Sequence, residues 1–193
     1  LYRFCHSLQG HRDTAFSGFT VEVDESPAWS HDGRTIAFHR RIPSAAGPAG
    51  VFLTTPYGGE PRFLAPGSFF FPNYLTFSPD DRFLAGVDGY QLWICEVATG
   101  QVSRPMYTGE GMFMPDWSPD GKRIVYSRLP LPNNLDSGGV HIFDLESGAD
   151  QALKFDGRIV YTEGDQPLWT RDGNWIACTE SYGTDPERFS LIK

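Results

Sequence analysis

Four aspartates recur in one short phrase. Asp32 stands in Trp29-Ser30-His31-Asp32-Gly33 and Asp80 in Phe77-Ser78-Pro79-Asp80-Asp81. Asp120 stands in Trp117-Ser118-Pro119-Asp120-Gly121 and Asp172 in Trp169-Thr170-Arg171-Asp172-Gly173. Loop carboxylates are the donors that calcium takes. Each of these, however, sits in its own turn, far along the chain from the others. Turn formation accounts for them better: Pro presets φ, Asp bonds back to the backbone, and Gly takes the left-handed position. In one copy Asp81 replaces that Gly, and Asp tolerates positive φ better than most residues.

Other reactive side chains form no constellation. His6, His11, His31, His39 and His141 are scattered. A nucleophile elbow Gly-x-Ser-x-Gly is absent, as are His-Glu-x-x-His, a P-loop and Gly-x-Gly-x-x-Gly. His11-Arg12-Asp13 matches a kinase catalytic loop by letters only, with neither a Gly-rich loop nor Asp-Phe-Gly. Cys95 and Cys178 end apolar runs and read as small core residues, and no Cys-x-x-Cys spacing exists. The expectation is that this chain on its own is not an enzyme. No catalytic, metal or cofactor residue is assigned. A small ligand or a metal in a central channel stays as a weaker alternative.

The elements that hold these residues repeat. Each phrase precedes a short apolar strand: 35–38, 83–86, 123–127 and 175–178. The aromatic anchors lie 48, 40 and 52 residues apart (29 to 77, 77 to 117, 117 to 169). A multi-strand repeat of this length is a propeller blade. In the third copy strand A ends at Trp117 and strand B follows its turn. Strand C is Val140 to Leu145 and strand D is Gln151 to Phe155. The expected fold is all-β, a propeller of four blades of four antiparallel strands, with almost no helix. Its blades are approximately 20–66, 67–108, 109–156 and 157–193 plus 1–6. The fourth stops inside strand C, and Leu1-Tyr2-Arg3-Phe4 reads like a strand D. Two accounts stay open: closure of the ring by this N-terminal strand, or membership of a larger ring.

Trp-Ser-Pro-Asp-Gly, then a basic residue and Ile-Val-Tyr-Ser, at 117–127, resembles the TolB-like propeller repeat, also called the WD40-like PD40 repeat. Residues 29–38 and 77–85 match well, and 169–178 match loosely, with Arg171 for Pro. The resemblance implies a fold without catalytic residues of its own. It also implies periplasmic proteins of the bacterial envelope that bind partner proteins, which makes this chain an extracytoplasmic complex subunit. The same repeat forms the non-catalytic propeller of prolyl-oligopeptidase-type serine hydrolases, the alternative reading. Four repeats are fewer than the six or more usual in these families.

A charge of −8 with a pI near 5.0 excludes general affinity for nucleic acid or anionic membrane. No apolar run is long enough for a transmembrane helix. Cys5 is followed by a polar stretch like a lipoprotein tether, but Arg3 and Phe4 stand where that signal wants small uncharged residues, against a lipid anchor.

In a propeller the A–B and C–D turns share one face, and the B–C and D–A connections share the other. Here the first set is short and the second elaborate. B–C loops run from Ile42 to Gly50, Leu129 to Gly139 and Ser181 to Glu187. D–A connections carry Phe69-Phe70-Phe71, Met112-Phe113-Met114 and Ile159-Val160-Tyr161. The expected function is a non-catalytic scaffold that docks a protein partner on this face. Its candidate contacts are Phe69, Phe70, Phe71, Met112, Phe113, Met114, Leu129 and Leu131.

Overall fold

The structure is a computed structural model that describes residues 23–41, 49–66, 74–131, 133–134, 137–160, 166–180 and 188–192. No α-helix occurs among the described residues. Sheet 1 is β1 (Val23–Trp29), β2 (Ile36–Arg41), β3 (Gly50–Thr54) and β4 (Arg62–Pro66), in that order. Sheet 2 is β5 (Leu75–Phe77), β6 (Phe83–Val87), β7 (Gln91–Glu96) and β8 (Val102–Tyr107). Sheet 3 is β9 (Met112–Trp117), β10 (Arg123–Arg128), β11 (Gly139–Asp144) and β12 (Asp150–Ala152). A two-stranded hairpin, β13 (Lys154–Phe155) and β14 (Arg158–Ile159), comes before sheet 4. Sheet 4 is β15 (Leu168–Trp169), β16 (Ile176–Glu180) and β17 (Arg188–Ile192). Every pairing is antiparallel between neighbours in sequence.

The turn that opens each sheet explains the repeated phrase. In sheet 3 the Ser118 hydroxyl donates to Asp120 at 2.5 Å and accepts the Arg123 N–H at 2.8 Å. Asp120 Oδ1 accepts the Lys122 N–H at 3.0 Å. The same three bonds recur from Ser30, Ser78 and Thr170 with Asp32, Asp80 and Asp172. The hydroxyl bond is the largest influence on each carboxyl and holds all four below the usual range, Asp172 down to about 2. Gly33, Gly121 and Gly173 take φ of 70°, 71° and 68°, and Asp81 takes 57°. Asp81 thus adopts the left-handed position that the repeat demands.

Core packing runs between successive sheets. Ala28, Val51 and Leu64 of sheet 1 meet Phe77, Leu84 and Trp93 of sheet 2. Ala85 and Leu92 of sheet 2 meet Trp117, Ile124, Tyr126 and Phe143 of sheet 3. Val125 and Val140 of sheet 3 meet Ile176, Cys178 and Ile192 of sheet 4. Each fully buried aliphatic side chain contributes roughly 1.5–3 kcal/mol. Cys95 and Cys178 are both buried, and burial pushes the Cys95 thiol up to about 11. The aromatic anchor faces the preceding sheet: Phe77 is 2% exposed and Trp117 7%. Trp29, with no described sheet before it, is 51% exposed.

The innermost strands are also joined by polar links. Asp81 of sheet 2 accepts the backbone N–H groups of His31 and Asp32 at 2.7 and 2.9 Å, and His31 Nδ1 lies 3.0 Å away. At the next two junctions Pro79 and Pro119 pack against Gly121 and Gly173 instead. Trp117 Nε1 donates to the Thr76 carbonyl at 3.2 Å. Asp116 accepts the Trp169 N–H at 2.8 Å from sheet 4 and faces the Thr76 hydroxyl at 3.5 Å from sheet 2. Burial raises its carboxyl to about 6, against those bonds.

Three expectations need correction. Met112 to Met114 belong to β9, not to a connection. There Met114 sits in a bulge at φ 55°, as Ser26 does in β1, each before a proline. The outer strand of sheet 3 ends at Ala152. Beyond it Asp156 and Gly157, at φ 49° and 75°, make the tight turn of the β13–β14 hairpin. Ile159 lies in β14 and Val160 in the core. Leu1 to Phe4, Cys5, Phe69 to Phe71, Tyr161 and the loops 42–48 and 181–187 fall outside the described residues.

Candidate functional site: an apolar patch on the loop face

The B–C and D–A connections of sheets 2 and 3 meet on one face. β8 delivers Tyr107 there, 67% exposed, and the β6–β7 turn delivers exposed Tyr90. The β10–β11 loop contributes Leu129, 53% exposed, and exposed Leu131. Backbone bonds lace these segments together. Thr108 N–H donates to the Tyr90 carbonyl, Met112 N–H to Gly89 and Leu129 N–H to Gly111. The Leu129 and Phe113 side chains lie over Gly111, where a Cβ would come within 2.9 Å of Leu129 and 3.2 Å of Phe113. The exposed apolar groups therefore stand on segments that backbone bonds join on one face.

The loop is held in shape. Ser137 Oγ accepts the Leu131 N–H at 2.8 Å and donates to the Asn134 carbonyl at 2.8 Å. Gly138 lies so close to Pro130 that a Cβ would come within 2.5 Å of its ring nitrogen. Beneath it Arg128 is a strut: Nε donates to the Ser137 carbonyl at 2.6 Å and lies 2.6 Å from Glu110, and Nη1 reaches Asp150 at 2.9 Å. Asp150 also accepts the Tyr126 hydroxyl at 2.8 Å and faces His141 Nδ1 at 3.2 Å. Burial pushes the Asp150 carboxyl up. Bonds and charge from His141, the Tyr126 hydroxyl bond and the Arg128 charge outweigh it and bring the group below the usual range. Bonded this way, the described residues of the loop lose little conformational entropy when something docks on them.

The candidates read from sequence divide. Leu129 and Leu131 are exposed on this patch. Phe113 is half-buried at its edge and Met114 half-buried in its bulge. Met112 is fully buried among Val87, Leu92 and Tyr126, so no partner can reach it. Tyr90 and Tyr107 were missed. Their signal was available: each is an aromatic residue that ends or borders a strand on the elaborated face. No group of three or more metal-ligating side chains gathers among the described residues, and no helix among them is long and apolar enough to cross a membrane.

No protein-family model matches the chain, and no curated protein matches it. Solved structures do. TolB from Acinetobacter baumannii superposes with a TM-score of 0.67 at 19% identity, over 88% of this chain and 41% of that one. A chain of a nidogen/laminin complex gives 0.60 at 8%, over 82% and 57%. An oligogalacturonate lyase in complex with manganese gives 0.59 at 16%, over 88% and 48%. This chain thus spans less than two thirds of each. The fold is that of the TolB-like β-propellers. The lyase corrects one expectation: lack of a hydrolase nucleophile does not make a propeller non-catalytic, because an enzyme carries this fold.

Proposed function

We propose that this chain is a protein-docking propeller of the bacterial cell envelope, acting as a subunit of a larger assembly. The observation that carries it is the joined, exposed set Tyr90, Tyr107, Leu129 and Leu131 on a hydrogen-bonded loop. Contiguous apolar surface with aromatic members on a rigid base is what hot spots are made of. The likeness to TolB and to a chain of a nidogen/laminin complex supports a role in protein assembly. The extracytoplasmic location rests on the TolB-like resemblance and belongs to the same proposal. Phe69, Phe70 and Phe71, which continue the connection from sheet 1 to sheet 2, are proposed members of the surface.

Ring closure and blade boundaries belong to this reading too. Half-exposed Trp29, where the counterparts Phe77 and Trp117 are buried and Trp169 partly buried, favours a ring of more than four sheets over closure of sheet 4 directly on sheet 1. The test is a photo-crosslinking residue at position 107 in the native source, then binding of the captured partner to the purified chain. Tyr107→Ser with Leu129→Ser should weaken that binding at least about tenfold while leaving the melting temperature unchanged. Unchanged binding by the folded double variant refutes the proposal.

A further inference from the structure

On the opposite face, that of the A–B turns, the seam between sheets 2 and 3 is not filled. A groove of about 620 Å³ opens there between the two turns. Its floor is the Trp117 indole, flanked by Phe83, Ile94 and Leu145, which cap the second core cluster and stay partly exposed. Trp117 cannot swing away, because its Nε1 is tied to the Thr76 carbonyl. Pro79, Pro105 and Pro119 also line the groove, each with φ fixed by its ring, so the walls are stiff.

The lining itself carries charge of one sign, with the Arg82 guanidinium outside it over the Phe83 ring at 5.4 Å and Lys122 and Arg123 beside Asp120. Among its lining residues only Asp80 and Asp120 are charged. Their own turns bond Oδ1 of each carboxylate, which leaves Oδ2 to accept from a ligand, shared at Asp120 with Arg123 at 3.5 Å. Hydrogen bonds from Ser78 and Ser118 hold both carboxyls below the usual range, so both are anions at neutral pH. The volume lies within the range of sites that hold a compact ligand or a few side chains. A stiff apolar floor between two anions matches an apolar side chain flanked by cations.

We propose that this groove binds an extended peptide segment in which basic residues flank an apolar side chain. The net charge of −8 draws such a segment in from a distance. The site lies on the face away from Tyr107 and Leu129, so it goes beyond the docking patch, and either can fail alone.

The experiment is a two-dimensional NMR titration of the labelled chain. The probes are acetyl-Lys-Phe-Leu-Lys-amide and acetyl-Glu-Phe-Leu-Glu-amide. The basic peptide should shift the Trp117 indole N–H and bind at least about tenfold more tightly than the acidic one. Ser103→Lys places a cation on an exposed lining position and should weaken the basic peptide at least about tenfold. Asp80→Asn keeps the turn acceptor and should weaken it in the same direction. Leu129→Ser should change nothing. Equal affinity for both peptides, shifts that map to Tyr107 and Leu129, or no shift at the solubility limit of the basic peptide each overturn the proposal.

Discussion

Asp116→Asn should stabilise the protein at neutral pH and have little effect near pH 4. Asp116 lies between sheets 2 and 4, bonded to the Trp169 N–H and facing the Thr76 hydroxyl. Burial raises its carboxyl from 3.8 to about 6. A raised folded value means that the protonated form is favoured in the native state. The stability this contributes is fully present below pH 3.8 and lost as pH rises through about 6. Two units correspond to about 3 kcal/mol, most of it lost between pH 4 and 7.5. Asparagine keeps the oxygen that accepts from Trp169 and cannot ionise. Urea unfolding of both proteins at each pH is the assay. The variant's advantage should grow by about 2–3 kcal/mol from pH 4 to 7.5. Taking the difference between proteins cancels Asp32, Asp80, Asp120, Asp150 and Asp172, whose lowered values act in the opposite direction. An advantage equal at both pH values refutes the argument that burial dominates at Asp116.

Three further outcomes follow from the packing. Asp81→Gly relieves the left-handed strain but breaks the clasp on His31 and Asp32, for a net cost of about 1 kcal/mol in urea unfolding; a gain would show that the clasp contributes nothing. Met112→Ala should cost about 2–5 kcal/mol and Leu129→Ala about 0.5 or less, so similar values would show that burial of Met112 is misassigned. Ser118→Ala orphans the Arg123 N–H, costs about 1–3 kcal/mol, and lets the Asp120 carboxyl rise toward its ordinary value in an NMR pH titration; an unmoved Asp120 would deny the bond.

The turn phrase made the sheets legible because its job is local. A hydroxyl, a carboxylate two residues on and a residue at positive φ close the hairpin within six positions, whatever the rest of the chain does. That is why strands B and C fell close to where the apolar runs put them. The outer strand of sheet 3 was overextended because Asp156-Gly157 went unread as a hairpin turn. Two positive-φ residues there reverse the chain after a pair of residues, so Lys154 and Phe155 pair with β14 and not with β11.

Asp81 shows why the site was harder to read than the fold. From sequence it is a defect, an aspartate where the repeat has glycine. In space it answers His31, which stands where the following two sheets have Pro79 and Pro119. Proline has no N–H to offer a carboxylate, so at those junctions glycine lets the ring pack close. Histidine does have one, and an aspartate opposite can accept it together with the Asp32 N–H. The two departures from the motif, 50 residues apart, are one interaction. The loop-face patch has the same character. Met112 and Leu129 are both apolar and lie side by side where β9 begins and β10 ends, yet Met112 is buried in the core while Leu129, over Gly111, stays exposed. Composition marks the elaborated face, and only the pairing of β9 with β10 decides which of its apolar residues a partner can touch.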